Sequence, residues 1–150
     1  VSMNPLKGIT LGLLLVAGSA IADTPRTVVN PRSNAVSKTD PPFSGAVRVG
    51  DTLYLSGQIG LGPDRKPPAD VSDEAKLVMD AVKKVLADAS MTPDDLVSVQ
   101  VYCSDVRHYD AFNAVYRTYF TKEFPARAFL GSGALLFGAR FEIVGVAVKR

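Results

Sequence analysis

Residues 72–104 read SDEAKLVMDAVKKVLADASMTPDDLVSVQVYCS, and within this stretch the spacing of apolar residues changes once. Ala75, Val78, Met79, Val82, Leu86 and Ala89 recur at steps of three and four, which places them along one face of a helix over 72–89. Leu77 and Val85 widen that face. Asp70 or Ser72 can cap its start, and Asp73 and Glu74 suit a first turn, where the helix dipole favours acids. From Leu96 to Ser104 the period falls to two, so Val97, Val99, Val101 and Cys103 are expected on one face of a strand. A helix handing over to a strand across a short Pro-Asp-Asp turn places the chain among mixed helix and sheet domains.

Outward from this stretch the same pattern continues. Asp105 can cap a second helix over about 107–122, where Tyr109, Phe112, Tyr116, Tyr119 and Phe120 form an aromatic stripe. At helical spacing such a stripe reads as packing onto a sheet rather than as a base-stacking surface. His108 reads as a solvated residue of the first turn, and Cys103 as a small buried hydrophobe rather than a nucleophile. Pro125 stops the helix, and 126–132 and 140–148 read as two strands joined by GALLFGA, expected to pair as a hairpin. On the other side, 46–49 and 52–56 alternate around Gly50-Asp51, a hairpin signal, and 57–68 is a Gly- and Pro-rich loop. The order is β-β-α-β-α-β-β, an α+β domain with two helices on one face of a sheet. Nothing in the sequence covers the other face, which points to self-association.

The N-terminal part has a different character. Gly8–Ala22 (GITLGLLLVAGSAIA) is uncharged and apolar, follows a single lysine, and ends in the small-x-small pattern of a signal peptidase site. Residues 1–22 are therefore expected to be a signal peptide cleaved after Ala22, giving a periplasmic or secreted protein without stable membrane association. Residues 23–40 are polar, with two prolines and no periodicity, and read as an N-terminal extension before a domain at 41–150.

Composition narrows the chemistry. The chain has 150 residues, the size of one domain, with 47% hydrophobic and 21% charged residues, the balance of a folded chain. Its 17 basic and 15 acidic residues are dispersed, which argues against a nucleic-acid partner. A single Cys and a single His exclude an internal disulfide and a metal site built of paired cysteines or several histidines.

Two charges stand where a sheet core should be apolar: Arg127 in ARAFLGSG and Glu142 in RFEIVGVAV. An arginine offers a planar fork suited to a carboxylate, and a nearby carboxylate can take a proton from water. The pair reads equally well as a structural ion pair at a sheet edge.

The blocks Phe43-Ser44-Gly45-Ala46-Val47, Leu53-Tyr54-Leu55-Ser56-Gly57-Gln58-Ile59, Phe124-Pro125-Ala126-Arg127 and Phe141-Glu142-Ile143 with Ala147 resemble, in order and spacing, the Rid family. These are the YjgF-like reactive enamine/imine deaminases, also labelled endoribonuclease L-PSP. The resemblance runs from about Pro41 to the end of the chain. It implies a chorismate-mutase-like α+β fold assembled as a homotrimer, with sites in clefts between subunits. It also implies hydrolysis of 2-enamines and 2-imines of 2-keto acids to the keto acid and ammonia, without a cofactor or metal. On this resemblance Arg127 grips the substrate carboxylate and Glu142 activates water. Ser56, Gly57 and Gln58 wall the pocket, with Phe43 and Phe129 beside the substrate.

Three positions depart from the family pattern. Phe43 stands where active deaminases commonly have Tyr, Ala128-Phe129 where a Ser-Cys or Ser-Thr pair is common, and Leu135-Leu136 where Leu-Pro is usual. The expected pocket is thus more apolar than is typical. An imine deaminase with a bulkier substrate, and a non-catalytic trimer that binds small carboxylates or keto acids, both fit this pattern. RNA cleavage, suggested by the older label, fits the dispersed charge poorly.

Overall fold

The helical stripe becomes α1 (Val71–Asp88), and the side chain of Asp70 caps it by accepting from the backbone N–H of Ser72 at 2.8 Å and of Asp73 at 3.0 Å. Ala75, Val78, Met79, Val82, Val85 and Leu86 are buried along its inner face. In the computed structural model, residues 24–29 and 41–149 are described. The expected signal peptide with its cleavage point, and positions 30–40 of the extension, lie outside these residues.

The remaining elements are β1 (Arg26–Val29), β2 (Ala46–Val49), β3 (Thr52–Ile59), β4 (Leu96–Cys103), α2 (Tyr109–Tyr116), β5 (Ala126–Gly131) and β6 (Phe141–Val148). They form one sheet in the order β1-β2-β3-β6-β4-β5. All neighbours are antiparallel except β4 and β5, which run parallel with α2 as their crossover. The α+β class, the β2–β3 hairpin and the helices on one face agree with the sequence reading.

The sheet order overturns one expectation. β5 and β6 are not a hairpin: β6 lies between β3 and β4, while β5 is an edge strand beside β4. Burial separates them: β6 buries Phe141, Ile143 and Ala147 in the core, while no residue of β5 is fully buried. A strand that apolar is placed best with a neighbour on each side, whereas β5, with Arg127, tolerates an edge.

Smaller differences have local causes. The extension read as unpatterned contains β1, which pairs in register with β2 and buries Val29. Four residues are too short a run to declare a strand by alternation. β3 continues to Ile59, into what read as loop. α2 ends at Tyr116 and gives way to a 3-10 turn and an extended Phe120, short of the expected 122. Val97 is not on the inner face with Val99, Val101 and Cys103. Leu96 pairs with Ala147 and Ser98 with Val146, so Val97 is the extra residue of a bulge, 41% exposed, and Leu96 points inward instead. Cys103 is buried as expected. Its thiol donates to the Asp105 carbonyl at 3.0 Å, and burial raises its pKa, which disfavours the nucleophilic thiolate.

The core lies between the helices and one sheet face, with Phe112 and Phe141 at its aromatic centre, ring centroids 4.8 Å apart. Among the described residues one charged side chain is wholly enclosed there: Glu74, with no exposed surface. Sequence reading placed it in the first turn of the helix, where an acid suits the dipole. Its carboxylate accepts from the backbone N–H of Arg140 at 2.5 Å and of Phe141 at 3.2 Å, and from the Arg140 guanidinium at 2.5 Å. The same guanidinium donates to the carbonyls of Pro68 and Ala69. Glu74→Ala strands these donors in the core and is expected to cost about 3–5 kcal/mol. Equilibrium urea unfolding against wild type measures it.

Candidate functional site

Cross-strand partners share a face of a sheet, and the pairing therefore settles where each candidate points. Glu142 pairs with Tyr102 on β4 and Ile59 on β3, out of phase with the buried Phe141 and Ile143. Its side chain thus stands on the open face, away from the helices. Arg127 pairs with the buried Val99, and Phe129 with the buried Val101, so both stand on the helix face. The two charges read as one pair are on opposite faces of the same sheet. Within one chain they form neither an ion pair nor a common cleft.

Around Glu142 the local structure is built for a carboxylate. β3 carries an extra residue between Leu55, opposite Gly145, and Gln58, opposite Ile143. The bulge brings Gly57 directly beneath the Glu142 side chain. A Cβ added at Gly57 would collide with Oε1 of Glu142 and lie within 3.0 Å of its carboxyl carbon. Glycine is required here by close approach rather than by backbone angle. The Ser56 hydroxyl donates to the Ser44 carbonyl at 2.5 Å, and the Ser56 N–H to the Gly45 carbonyl at 3.1 Å. Ser56 thereby ties the segment bearing Phe43 to β3. Phe43, Ser56, Gly57 and Glu142 line one hollow of about 630 Å³, together with Ile59, Arg65, Leu136 and Phe137 among others. Gln58 does not line it: it pairs on the core side with Ile143, and its amide folds back to the Ser56 carbonyl at 3.0 Å.

Arg127 lies in a second, smaller hollow of about 160 Å³ with Asn113, Tyr116, Arg117, Phe124 and Pro125. Its guanidinium sits over the Tyr116 ring, 4.5 Å from the centroid, with the Tyr109 and Phe129 rings each at 5.9 Å. Aromatic faces attract a cation without consuming its hydrogen-bond donors. Arg127 makes no ion pair among the described residues. Phe129 packs edge-on against Tyr109 and Phe112, at 5.0 and 5.6 Å. It belongs to the seat of Arg127, not to the hollow of Glu142.

Sequence reading missed Asn113 and the particular role of Tyr116. Asn113 is nearly buried inside α2 and borders the Arg127 hollow. The Tyr116 hydroxyl is buried with no hydrogen-bond partner among the described residues, and burial pushes its pKa up to about 12. The available signal was Asn113 itself, a poor helix former in the middle of an otherwise apolar and aromatic turn. A larger groove of about 820 Å³ runs between the helices, and several of its polar groups are already paired. Lys76 pairs with Asp80, Tyr119 donates to Asp80, and Thr121 to Asp94.

The fold and its two half-sites, an acid over a glycine on one face and a seated arginine on the other, define a class of small α+β domain with a split polar site. The chain belongs to the endoribonuclease L-PSP family, the Rid or YjgF-like proteins, whose model matches residues 33–149. It is 37% identical over 110 residues to the 2-iminobutanoate/2-iminopropanoate deaminase of Capra hircus, covering 72% of this chain and 80% of that protein. It is 34% identical over 109 residues to protein HMF1 of Saccharomyces cerevisiae, covering 72% and 84%. Among solved structures it is similar to E. coli TdcF with bound serine, at 28% identity and a TM-score of 0.70, covering 74% and 91%.

Gly57→Ala is expected to leave the fold intact and to swing the Glu142 carboxylate off β3. A crystal structure of the variant, or the Glu142 carboxyl shift followed by NMR, measures the displacement.

Proposed function

We propose that the protein hydrolyses 2-imino acids and their enamine tautomers to 2-keto acids and ammonia. The relatives named as deaminases support this reaction class. The observation that carries the reading to particular residues is the separation of Arg127 and Glu142. Each sits in a partial hollow with its chemistry unspent, and the two face opposite ways. A second copy whose β5 edge abuts the open face of the first would bring one Arg127 to the other's Glu142. The open face has the apolar surface for such a contact, with Tyr54 52% and Leu130 42% exposed. We take the assembly to be a homotrimer with three such shared sites.

In that site the Arg127 fork holds the substrate carboxylate in two parallel hydrogen bonds. Glu142 takes a proton from a water as its oxygen adds to the carbon of the protonated imine, and returns that proton to nitrogen; as the carbon–nitrogen bond breaks and ammonia leaves, Glu142 takes the remaining hydroxyl proton and the carbonyl of the keto acid forms. Holding water and imine in contact is the larger share of such catalysis, because the imine carbon is already electrophilic. Neither a metal nor an organic cofactor enters the scheme. Export through residues 1–22 completes the proposal, and cell fractionation tests it.

The decisive experiment mixes two inactive variants. Arg127→Ala and Glu142→Gln, each alone, are expected to lose at least about 100-fold in kcat/KM on imines generated in situ by an amino-acid oxidase. Unfolded and refolded together in equal amounts, they should recover up to about a quarter of wild-type activity, because random assembly restores intact shared sites. Recovery no greater than the sum of the separate variants refutes a shared site. Undiminished keto-acid binding with no wild-type turnover makes the protein a carboxylate binder instead.

A further inference from the structure

The hollow before Glu142 holds one acid, and most of its remaining wall is apolar: Phe43, Ile59, Leu136 and Phe137, with Pro41 and Pro42. Phe43, Leu136 and Phe137 are 61%, 69% and 55% exposed. Three large apolar side chains gathered around one cavity mark a place that receives an apolar group. A methyl or ethyl side chain, as in the substrates for which the deaminase relatives are named, would leave most of about 630 Å³ to water.

Backbone geometry singles out two residues of this wall. Arg65 (φ 61°) and Phe137 (φ 59°) both adopt the left-handed conformation; Ser90, just after α1, is the other non-glycine residue to do so among those described. For a phenylalanine this is a genuine steric outlier, and such outliers gather at ligand sites, where the surroundings enforce them. The two side chains meet, with the Arg65 guanidinium 5.4 Å from the centroid of the Phe137 ring. Arg65 has no ion pair among the described residues. The two loops are therefore shaped to present an aromatic wall backed by a cation.

We propose that this hollow receives the substrate's side chain, that the preferred substrates are 2-imino acids with a large apolar and above all aromatic side chain, and that Phe137 and Arg65 determine this preference. The assignment rests on the deaminase reading for the reaction and goes beyond it in naming the side chain. An aryl ring fills the space between Ile59 and Leu136, displaces water from both, and packs on Phe137. The Arg65 charge lies within reach of the ring's π face. An acidic side chain is the rival guest for Arg65, but Glu142 in the same hollow repels a second anion.

Calorimetric titration with phenylpyruvate, pyruvate and oxaloacetate, alongside kcat/KM on phenylalanine- and alanine-derived imines, tests the assignment. Wild type is expected to favour the phenyl compound by about 30-fold or more in both measurements. Phe137→Gly suits the left-handed backbone, so its melting temperature should not fall. In that variant the preference should shrink to within about threefold, through loss on the phenyl ligands. Arg65→Ala should lower it by about three- to tenfold. Equal or tighter binding of pyruvate or oxaloacetate overturns the proposal, as does a Phe137→Gly variant that keeps the wild-type ratio. Imine turnover without side-chain preference sinks the proposal and leaves the deaminase standing. Phenylpyruvate preference lost in Phe137→Gly, with no imine turned over, sustains the ligand class and removes the deaminase.

Discussion

Glu74 has no exposed surface, and its carboxylate is satisfied by the backbone N–H groups of Arg140 and Phe141, where β6 begins, and by the Arg140 guanidinium. A buried carboxylate tolerates nothing less than full pairing. The clamp therefore joins α1, the loop at Pro68 and Ala69, and the start of β6 in one arrangement. Gly60 belongs to the same contact, since a Cβ there would strike the backbone of Glu74 and lie 2.9 Å from the Val78 nitrogen. Because β6 is the strand between β3 and β4, fixing its start fixes the register of the central sheet. Glu142 follows Arg140 by two residues, so its direction is set by the same hydrogen bonds.

That register divides the functional groups. Each strand alternates faces, and β6 presents Glu142 to the open side while β5 presents Arg127 to the helices. The two half-sites are built differently. The acid depends on a bulge and a glycine that let a carboxylate lie against the strand. The arginine depends on α2, whose Tyr109 and Tyr116 rings seat the guanidinium without occupying its donors.

The departures from the family pattern acquire separate meanings once the faces are known. Phe43 and Leu136 enlarge the apolar wall of the Glu142 hollow. Phe129 does not; it packs on Tyr109 and Phe112 and supports Arg127 from below. A single description of the pocket as more apolar thus conceals two effects, one on the wall of the Glu142 hollow and one on the seat of Arg127.

Local patterning alone determined the α+β class, the first helix with a cap at Asp70 or Ser72, the β2–β3 hairpin and the burial of Cys103, because each follows from periodicity or from a neighbour within a few residues. The family motifs also directed attention to Arg127, Glu142 and Gly57. Sequence could not show that β6 inserts between β3 and β4, that Val97 bulges out, or that Gln58 turns to the core side, because register is decided by partners distant in the chain. Nor could it show that Glu74, apparently a first-turn acid, is the enclosed one, while Arg127 and Glu142 stay half-buried on opposite faces. Burial is a property of the packed sheet and helices together, and only the tertiary structure assigns it.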